Sequence, residues 1–336
     1  MTDRTMHAAV VGAGAWGTAL ADLLARNGVH VSLWAHEADV AESIITQHEN
    51  RRFLAGAVLA PSIRATTNLT DALDGASLVC VATPSHLLRG ILRRSLSHLG
   101  RSATVCVASK GIEPGSLALM SDVVAEEAPG RRIVALSGPS FATEVVARQP
   151  TAVVAASDDD AASTMVQEAL SNTHFRVYTH DDIIGVELGG SLKNVMAVAA
   201  GMVEGVGLGF NSRAALITRG LAEMTRLGNA LGARSATFAG LAGIGDLVLT
   251  CTGSLSRNRA VGVAVGRGAT LDEALAGKET VAEGVTTARS ANALALREQV
   301  EMPIVATVHR ILFDGYPARL AVHELMSREL RAEQDA

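Results

Sequence analysis

Up to about residue 180 the chain repeats one alternation, a short valine-rich run followed by a stretch with helical periodicity. The runs are HAAVV, VHVSLW, SLVCVAT, ATVCVAS, RIVALSG, TAVVAAS and HFRVYT, and segments such as WGTALADLLARNG and HLLRGILRRSLSHLG lie between them. Strands this short and this uniformly apolar are buried on both faces. That is the condition of a mainly parallel sheet, whose crossover connections carry the covering helices. After YTHDD the strand signal stops. Helical patterns follow over roughly 182–208, 212–231, 255–266, 283–299 and 303–313, and Asp181 and Asp182 suit the start of the first. The expected fold class is α/β, with an N-terminal doubly wound domain over residues 1–180 and an all-α domain over residues 181–336. The length agrees, since 336 residues exceed the roughly 250 at which single cores stop growing.

Composition removes several function classes. Hydrophobic residues make up 48% and charged residues 19%, so the chain can bury a substantial core and is not of the disordered type. A formal net charge of −5 with no long basic run gives no footprint for nucleic acid. The N-terminus MTDRTMHAAVV is polar for five residues and then enters an apolar run too short for a signal segment or a membrane span, so no membrane association is expected and a cytoplasmic protein is. Cys80, Cys106 and Cys251 lack CxxC spacing, and the first two fall inside strand-like runs, so they read as core thiols. No cluster has the spacing of a metal site, and none is expected.

The segment AVVGAGAWGTALADLLARNG places Gly12, Gly14 and Gly17 in a G-x-G-x-x-G pattern after a strand and at the opening of a helix. Gly12 permits the tight turn, Gly14 lets the backbone approach a pyrophosphate, and Gly17 lets the helix pack on the strand. The alternative is a glycine-rich turn without a ligand, but the strand-turn-helix context marks a Rossmann-type dinucleotide-binding domain. The second strand ends at Trp34, where an NAD-selective site would be followed by a carboxylate. Here Ala35 and His36 follow, with Arg51 and Arg52 further on, so NADPH should be accepted. Glu37 and Asp39 keep NADH open, and the arginines read equally well as a solvated loop.

Of 29 basic side chains only three are lysine, namely Lys110, Lys193 and Lys278. Lys193 lies in VELGGSLKNVMAVAAGMVE, where it is the one charge between Glu187 and Glu204. Arginine stays protonated, whereas a lysine amine moves toward neutrality on burial, so only lysine can trade a proton there. Its helical neighbours Gly189, Gly190, Met196 and Ala197 include no acid, which predicts a weakly paired amine in apolar surroundings with a lowered pKa. The alternative is a snorkelling side chain. Two glycines inside a helix cost about 1 kcal/mol each relative to alanine, so another helix or a ligand should approach that face. Asn194 is a candidate donor to a substrate oxygen.

Two further features suit a phosphorylated ligand. GLAGIGDLVLTCTGSLSRNRAVG breaks the helical pattern and presents Asp246, Thr250, Ser256, Arg257 and Asn258. Hydroxyl, guanidinium and amide donors at a helix start make an anion site, although an ordinary serine cap with surface arginines would look the same. ASKGIEPGS and LSGPSFATE follow strands, which puts Lys110, Gly138 and Ser140 at carboxyl ends, where open α/β sheets bind ligands.

Taken in order, GAGAWGTALA, SKGIE, LSGPSFA, ELGGSLKNVMAVAAG, GLAGIGDLVLTCT, SRNR and VAEGV resemble the motifs of the bacterial NAD(P)-dependent glycerol-3-phosphate dehydrogenases, over residues 8 to 320. The resemblance implies an oxidoreductase that interconverts dihydroxyacetone phosphate and sn-glycerol 3-phosphate with NADPH or NADH, supplying phospholipid synthesis. It also implies a cytoplasmic homodimer. By that resemblance Lys193 exchanges the proton. The substrate is held by Lys110, Gly138, Ser140, Asn194, Asp246, Thr250, Ser256, Arg257 and Asn258. Cofactor contacts carry over to Ala15, Trp16, His36, Phe53, Lys110, Ala142, Arg257, Val281 and Glu283, beside the three glycines. Ala15 and Phe53 depart from the frequent serine and tyrosine, and each lacks a hydroxyl. A β-hydroxyacid or imine-type reductase shares the layout, but SRNR after GIGDL favours a phosphate handle. A non-catalytic NADP(H)-sensing protein would have no use for the lysine, aspartate and anion turn together.

Overall fold

The computed structural model describes residues 6–95, 97–277, 282–327, 329–330 and 332–333. Lys278 and Val281 lie outside them. The chain divides into two compact units, one running to Ser109 and again over Met120–Ile183, the other comprising Lys110–Leu119 and everything from Ile184.

The first unit runs β1 (His7–Val11), α1 (Ala15–Arg26), β2 (His30–Trp34), α2 (Ala38–Gln47), β3 (Arg64–Thr66), α3 (Leu69–Leu73), β4 (Leu78–Val81), α4 (Leu88–Ser95) and β5 (Thr104–Val107). It resumes with α5 (Met120–Glu127), β6 (Arg132–Ser137), α6 (Ala142–Val146), β7 (Thr151–Ala156), α7 (Asp160–Leu170) and β8 (Phe175–His180). The strands form one sheet of eight in the order β3-β2-β1-β4-β5-β6-β7-β8. The valine-rich runs LVCV and TVCV become β4 and β5, buried at every position. Strand order reverses at β1, which lies between β2 and β4, and such a reversal leaves a crevice at the carboxyl ends of the strands.

Two details depart from the sequence pattern. β3 was not expected, because three residues carry no periodicity. β7 runs antiparallel to β6, since the five-residue α6 is too short for a parallel crossover. Cys80 pairs in register with Cys106, and all three cysteines are free and buried. The neighbouring Cys80 sulfur and burial push the Cys106 thiol well up.

The second unit contains α8 (Ile183–Gly205), α9 (Phe210–Ala230), α10 (Ser235–Phe238), a single π-helical stretch at Leu241–Gly245, α11 (Asp246–Thr252) and α12 (Arg257–Gly266). It continues with α13 (Leu271–Leu275), α14 (Glu283–Arg297), α15 (Pro303–Phe313) and α16 (Ala318–Met326). α8 is apolar on all sides and long enough to cross a membrane, yet 89% of its most apolar window is buried within the protein; it is the core helix of this unit. Segment Lys110–Leu119 belongs here because Ile112 and Leu119 pack in the same core and Ser191 Oγ donates to the Gly111 carbonyl at 3.1 Å.

α8 and α12 meet backbone against backbone. A Cβ on Gly201 would lie 2.0 Å from the Arg259 carbonyl oxygen, and one on Gly262 would lie 2.0 Å from that of Val198. One turn further on, Gly205 and Gly266 make the same close approach, at 2.5 Å from the oxygens of Val263 and Met202. No side chain larger than hydrogen fits at these places.

Candidate active site

In the first unit the backbone turns from β1 into α1 through Gly12, Ala13 and Gly14. Gly12 has φ +113°, and a Cβ there would sit 2.8 Å from the Ala82 carbonyl oxygen. A Cβ on Gly17 would sit 1.8 Å from the Gly12 carbonyl oxygen, so the first helical turn closes directly on the loop. Gly14 is the N-cap of α1, without a side-chain cap and with no acid in the first turn, and its Cβ position faces open space. The first-turn amides and the positive end of the helix dipole are thus offered outward. The buried indole N–H of Trp16 has no hydrogen-bond partner among the described residues. A cradle stripped of side chains, with idle donors around it, fits a dinucleotide pyrophosphate.

Asn50 braces this cradle and escaped the sequence reading. It is fully buried and its amide donates to the Ala13 carbonyl and to Thr18 Oγ1, each at 2.8 Å. Its Oδ1 accepts from the Phe53 backbone amide at 3.0 Å, which ties Phe53 to the glycine turn. His36 is exposed just past β2, its ring 6.1 Å from that of Trp34. Arg51 pairs with Glu49 at 3.3 Å and Arg52 with Asp39 at 3.6 Å, while the Arg52 guanidinium lies 5.2 Å over the Phe53 ring. At the end of β6, Gly138 has φ +142° and a Cβ there would meet Val153 Cα at 2.8 Å. Ser140 Oγ donates back to the Gly138 carbonyl at 2.9 Å, and Ala142 opens α6, which packs against α1.

The second unit gathers Lys110, Lys193, Asp246 and Thr250. Lys193 Nζ donates to Asp246 Oδ1 at 2.6 Å and to Thr250 Oγ1 at 3.0 Å. Lys110 Nζ donates to the other carboxylate oxygen at 2.8 Å. Thr250 Oγ1 in turn donates to the Asp246 carbonyl at 2.6 Å. The π-helical stretch delivers the carboxylate: a Cβ on Gly189 would lie 2.3 Å from the Ala242 carbonyl oxygen, so this glycine lets that turn sit on α8 beside Lys193. Beside the cluster, Asn194 Oδ1 accepts from Asn258 Nδ2 at 2.9 Å, and Asn258 Oδ1 accepts from the Gly284 amide at 3.0 Å. Ser256 caps α12, accepting from the Arg259 amide at 3.3 Å, and its hydroxyl proton stays available to a ligand. Glu283 opens α14 and its charge acts on Arg257.

Residues 7–163 match the family model described as NAD-dependent glycerol-3-phosphate dehydrogenase N-terminus, and residues 182–323 match its C-terminus. The glycerol-3-phosphate dehydrogenase (NAD(P)+) of Geobacter sulfurreducens is 54% identical over 329 residues, which are 97% of this chain and 98% of that protein. The chain belongs to this family. A second relative of that name, from Geobacter sp. (strain M21), is 52% identical over 328 residues, 97% of this chain and 98% of its own. The crystal structure of the glycerol-3-phosphate dehydrogenase of Coxiella burnetii superposes with a TM-score of 0.93 at 41% identity, covering 96% of this chain and 99% of that one.

In this member of the glycerol-3-phosphate dehydrogenase family the lysine environment differs from the sequence expectation in one respect. Lys193 is neither snorkelling nor weakly paired: it is 8% exposed and bonded to a carboxylate from a distant segment. Burial is the largest influence on it and, with the charge of Lys110, brings its pKa down to about 8 against the opposing pull of Asp246. For Asp246 burial acts upward, but the two ammonium groups outweigh it and hold the carboxyl below its ordinary value. Burial lowers the Arg257 guanidinium, with Glu283 opposing. Burial pushes the Cys251 thiol up to about 12, so it remains uncharged.

Proposed function

We propose that Lys193 carries the proton in the reaction of this family, the interconversion of dihydroxyacetone phosphate and sn-glycerol 3-phosphate. Bound NADPH or NADH supplies or takes up the hydride at C2. In the reducing direction protonated Lys193 donates to the carbonyl oxygen as charge develops on it, and in the reverse direction the neutral amine takes the hydroxyl proton. Asp246 and Thr250 fix the position of Nζ, and Lys110 adds positive charge on the far side of the carboxylate. The observation that carries this reading is the buried Lys110–Asp246–Lys193 cluster.

Arg257, the Ser256 hydroxyl and the second amide hydrogen of Asn258 bind the phosphate in this reading, so that its binding orients the reacting carbon. Gly138 and Ser140 complete the substrate contacts, and His36, Phe53 and Ala142 those of the cofactor. The reading extends to a homodimer working in the cytoplasm and serving phospholipid synthesis, which rests on the family resemblance alone.

Following NADH and NADPH consumption separately, with dihydroxyacetone phosphate against unphosphorylated dihydroxyacetone, tests the phosphate handle. Turnover should require the phosphate, and Arg257→Gln should raise the KM for the phosphorylated ketone by about ten- to a hundredfold, the worth of charge-assisted hydrogen bonds. An unchanged KM, or equal turnover of dihydroxyacetone, would remove Arg257 from this role.

The lysine pKa gives the pH dependence its sign. A donor must be protonated, so kcat/KM for ketone reduction should hold below pH 8 and fall above it, following the value of about 8 for Lys193. Alcohol oxidation needs the free amine and should rise over the same range. Profiles that bend the same way in both directions would contradict a single proton-exchanging lysine.

A further inference from the structure

Thr83 stands two residues past β4, the strand that pairs with β1 up to Val11↔Val81, and borders the turn that follows β1. A Cβ on Gly12 would lie 3.0 Å from Thr83 Cγ2. The Thr83 backbone is fixed, since Ser109 Oγ donates to its carbonyl at 2.6 Å. The residue is 6% exposed, yet Thr83 Oγ1 has no hydrogen-bond partner among the described residues. A buried hydroxyl without a partner is destabilising, and valine would fill the same space without that penalty.

The other polar groups around the turn sort by whether they are engaged. Thr18 Oγ1 donates to the Ala13 carbonyl at 3.2 Å and accepts from Asn50 at 2.8 Å. Ala15 has no polar side chain. The Trp16 indole N–H and the Thr83 hydroxyl are without partners, and the two lie on the residues that flank the glycine turn, one opening α1 and one following β4. This is also where strand order reverses and ligands of such sheets bind. Rotation by about 120° around χ1 brings the hydroxyl to the position that the methyl holds against Gly12, the methyl moving to that of the Cβ hydrogen.

We propose that the Thr83 hydroxyl is a binding group of the dinucleotide site, donating to a phosphate or ribose oxygen of the cofactor. The proposal rests on the dinucleotide reading of the glycine cradle. Its test is the dissociation constant of NADH and of NADPH, measured without substrate by quenching of tryptophan fluorescence in the intact chain. Thr83→Val should weaken binding by about three- to tenfold, while the melting temperature without ligand stays level or rises. Thr83→Ser, which keeps the hydroxyl, should bind within about twofold of the native chain. Equal affinity of the valine variant and the native chain would overturn the proposal. A serine variant as weak as the valine one would do so too, by tracing the effect to the methyl group. A native chain that bound neither dinucleotide would instead overturn the cradle reading, and this proposal with it.

Discussion

Lys193→Met is expected to lower kcat for dihydroxyacetone phosphate reduction by about a hundred- to ten-thousandfold, the range for a positioned general acid. Dinucleotide affinity should be unchanged, because the glycine cradle is built entirely from the sheet unit. The substitution is tolerable for the fold: methionine is unbranched and of similar length, and Asp246 keeps its bond to Lys110 at 2.8 Å, so no buried carboxylate is stranded. The loss should appear at every pH, since no titrating amine remains to be adjusted. Single-turnover measurements with saturating ketone would check this, and a rate within tenfold of the native one would transfer the proton role to another group.

Asp246→Asn should be nearly as severe for a different reason. Asparagine keeps the shape but removes the charge between two ammonium groups, and stranding buried charge costs about 3–5 kcal/mol. Asp246 acts to raise the Lys193 pKa, against burial and Lys110, so its loss lets the amine deprotonate at lower pH. Ketone reduction near neutrality should then fall steeply and recover partly in more acidic buffer, with a lower melting temperature throughout. A pH profile with an unshifted limb would show that Asp246 does not govern the lysine.

The fold was legible where physical patterns are local. Buried parallel strands announce themselves as valine runs, and the G-x-G-x-x-G turn is contiguous, so the sheet unit and its cradle could be read directly. β3, at three residues, and the antiparallel β7 depend on pairing partners and left no local trace. In the second unit Leu241–Gly245 reads as a break because Gly243 and Gly245 signal a turn, and the chain does kink there, Gly243 leaving helical geometry at φ −94° and ψ −105°; that the turn packs on Gly189 left no local trace. Each side chain of the proton cluster was identifiable, and the family resemblance implies that Asp246 positions the lysine or the substrate, but no local pattern gives their connection. Lys193 and Asp246 lie 53 positions apart, and no periodicity links an amine to a carboxylate at that separation. Asn50 was missed because a single asparagine in a loop reads as a turn residue, and its two bonds to the cradle exist only in three dimensions.

The glycine crossing of α8 and α12 has a consequence for how this enzyme could be altered. Lys193 belongs to one helix and Arg257 to the other, and their contact consists of main chain with nothing between. Side chains can change rotamer and cores can repack around new volumes, but two peptide backbones in contact have no slack to give. The crossing therefore works as a fixed gauge between the proton-bearing amine and the guanidinium proposed to hold the phosphate. A shorter or longer phosphorylated ketone would not be accommodated by trimming or enlarging residues along its length. A side chain at Gly201 or Gly262 would meet the main chain of the other helix and force the two apart, so any substitution there should disturb both groups at once, although neither glycine touches the substrate.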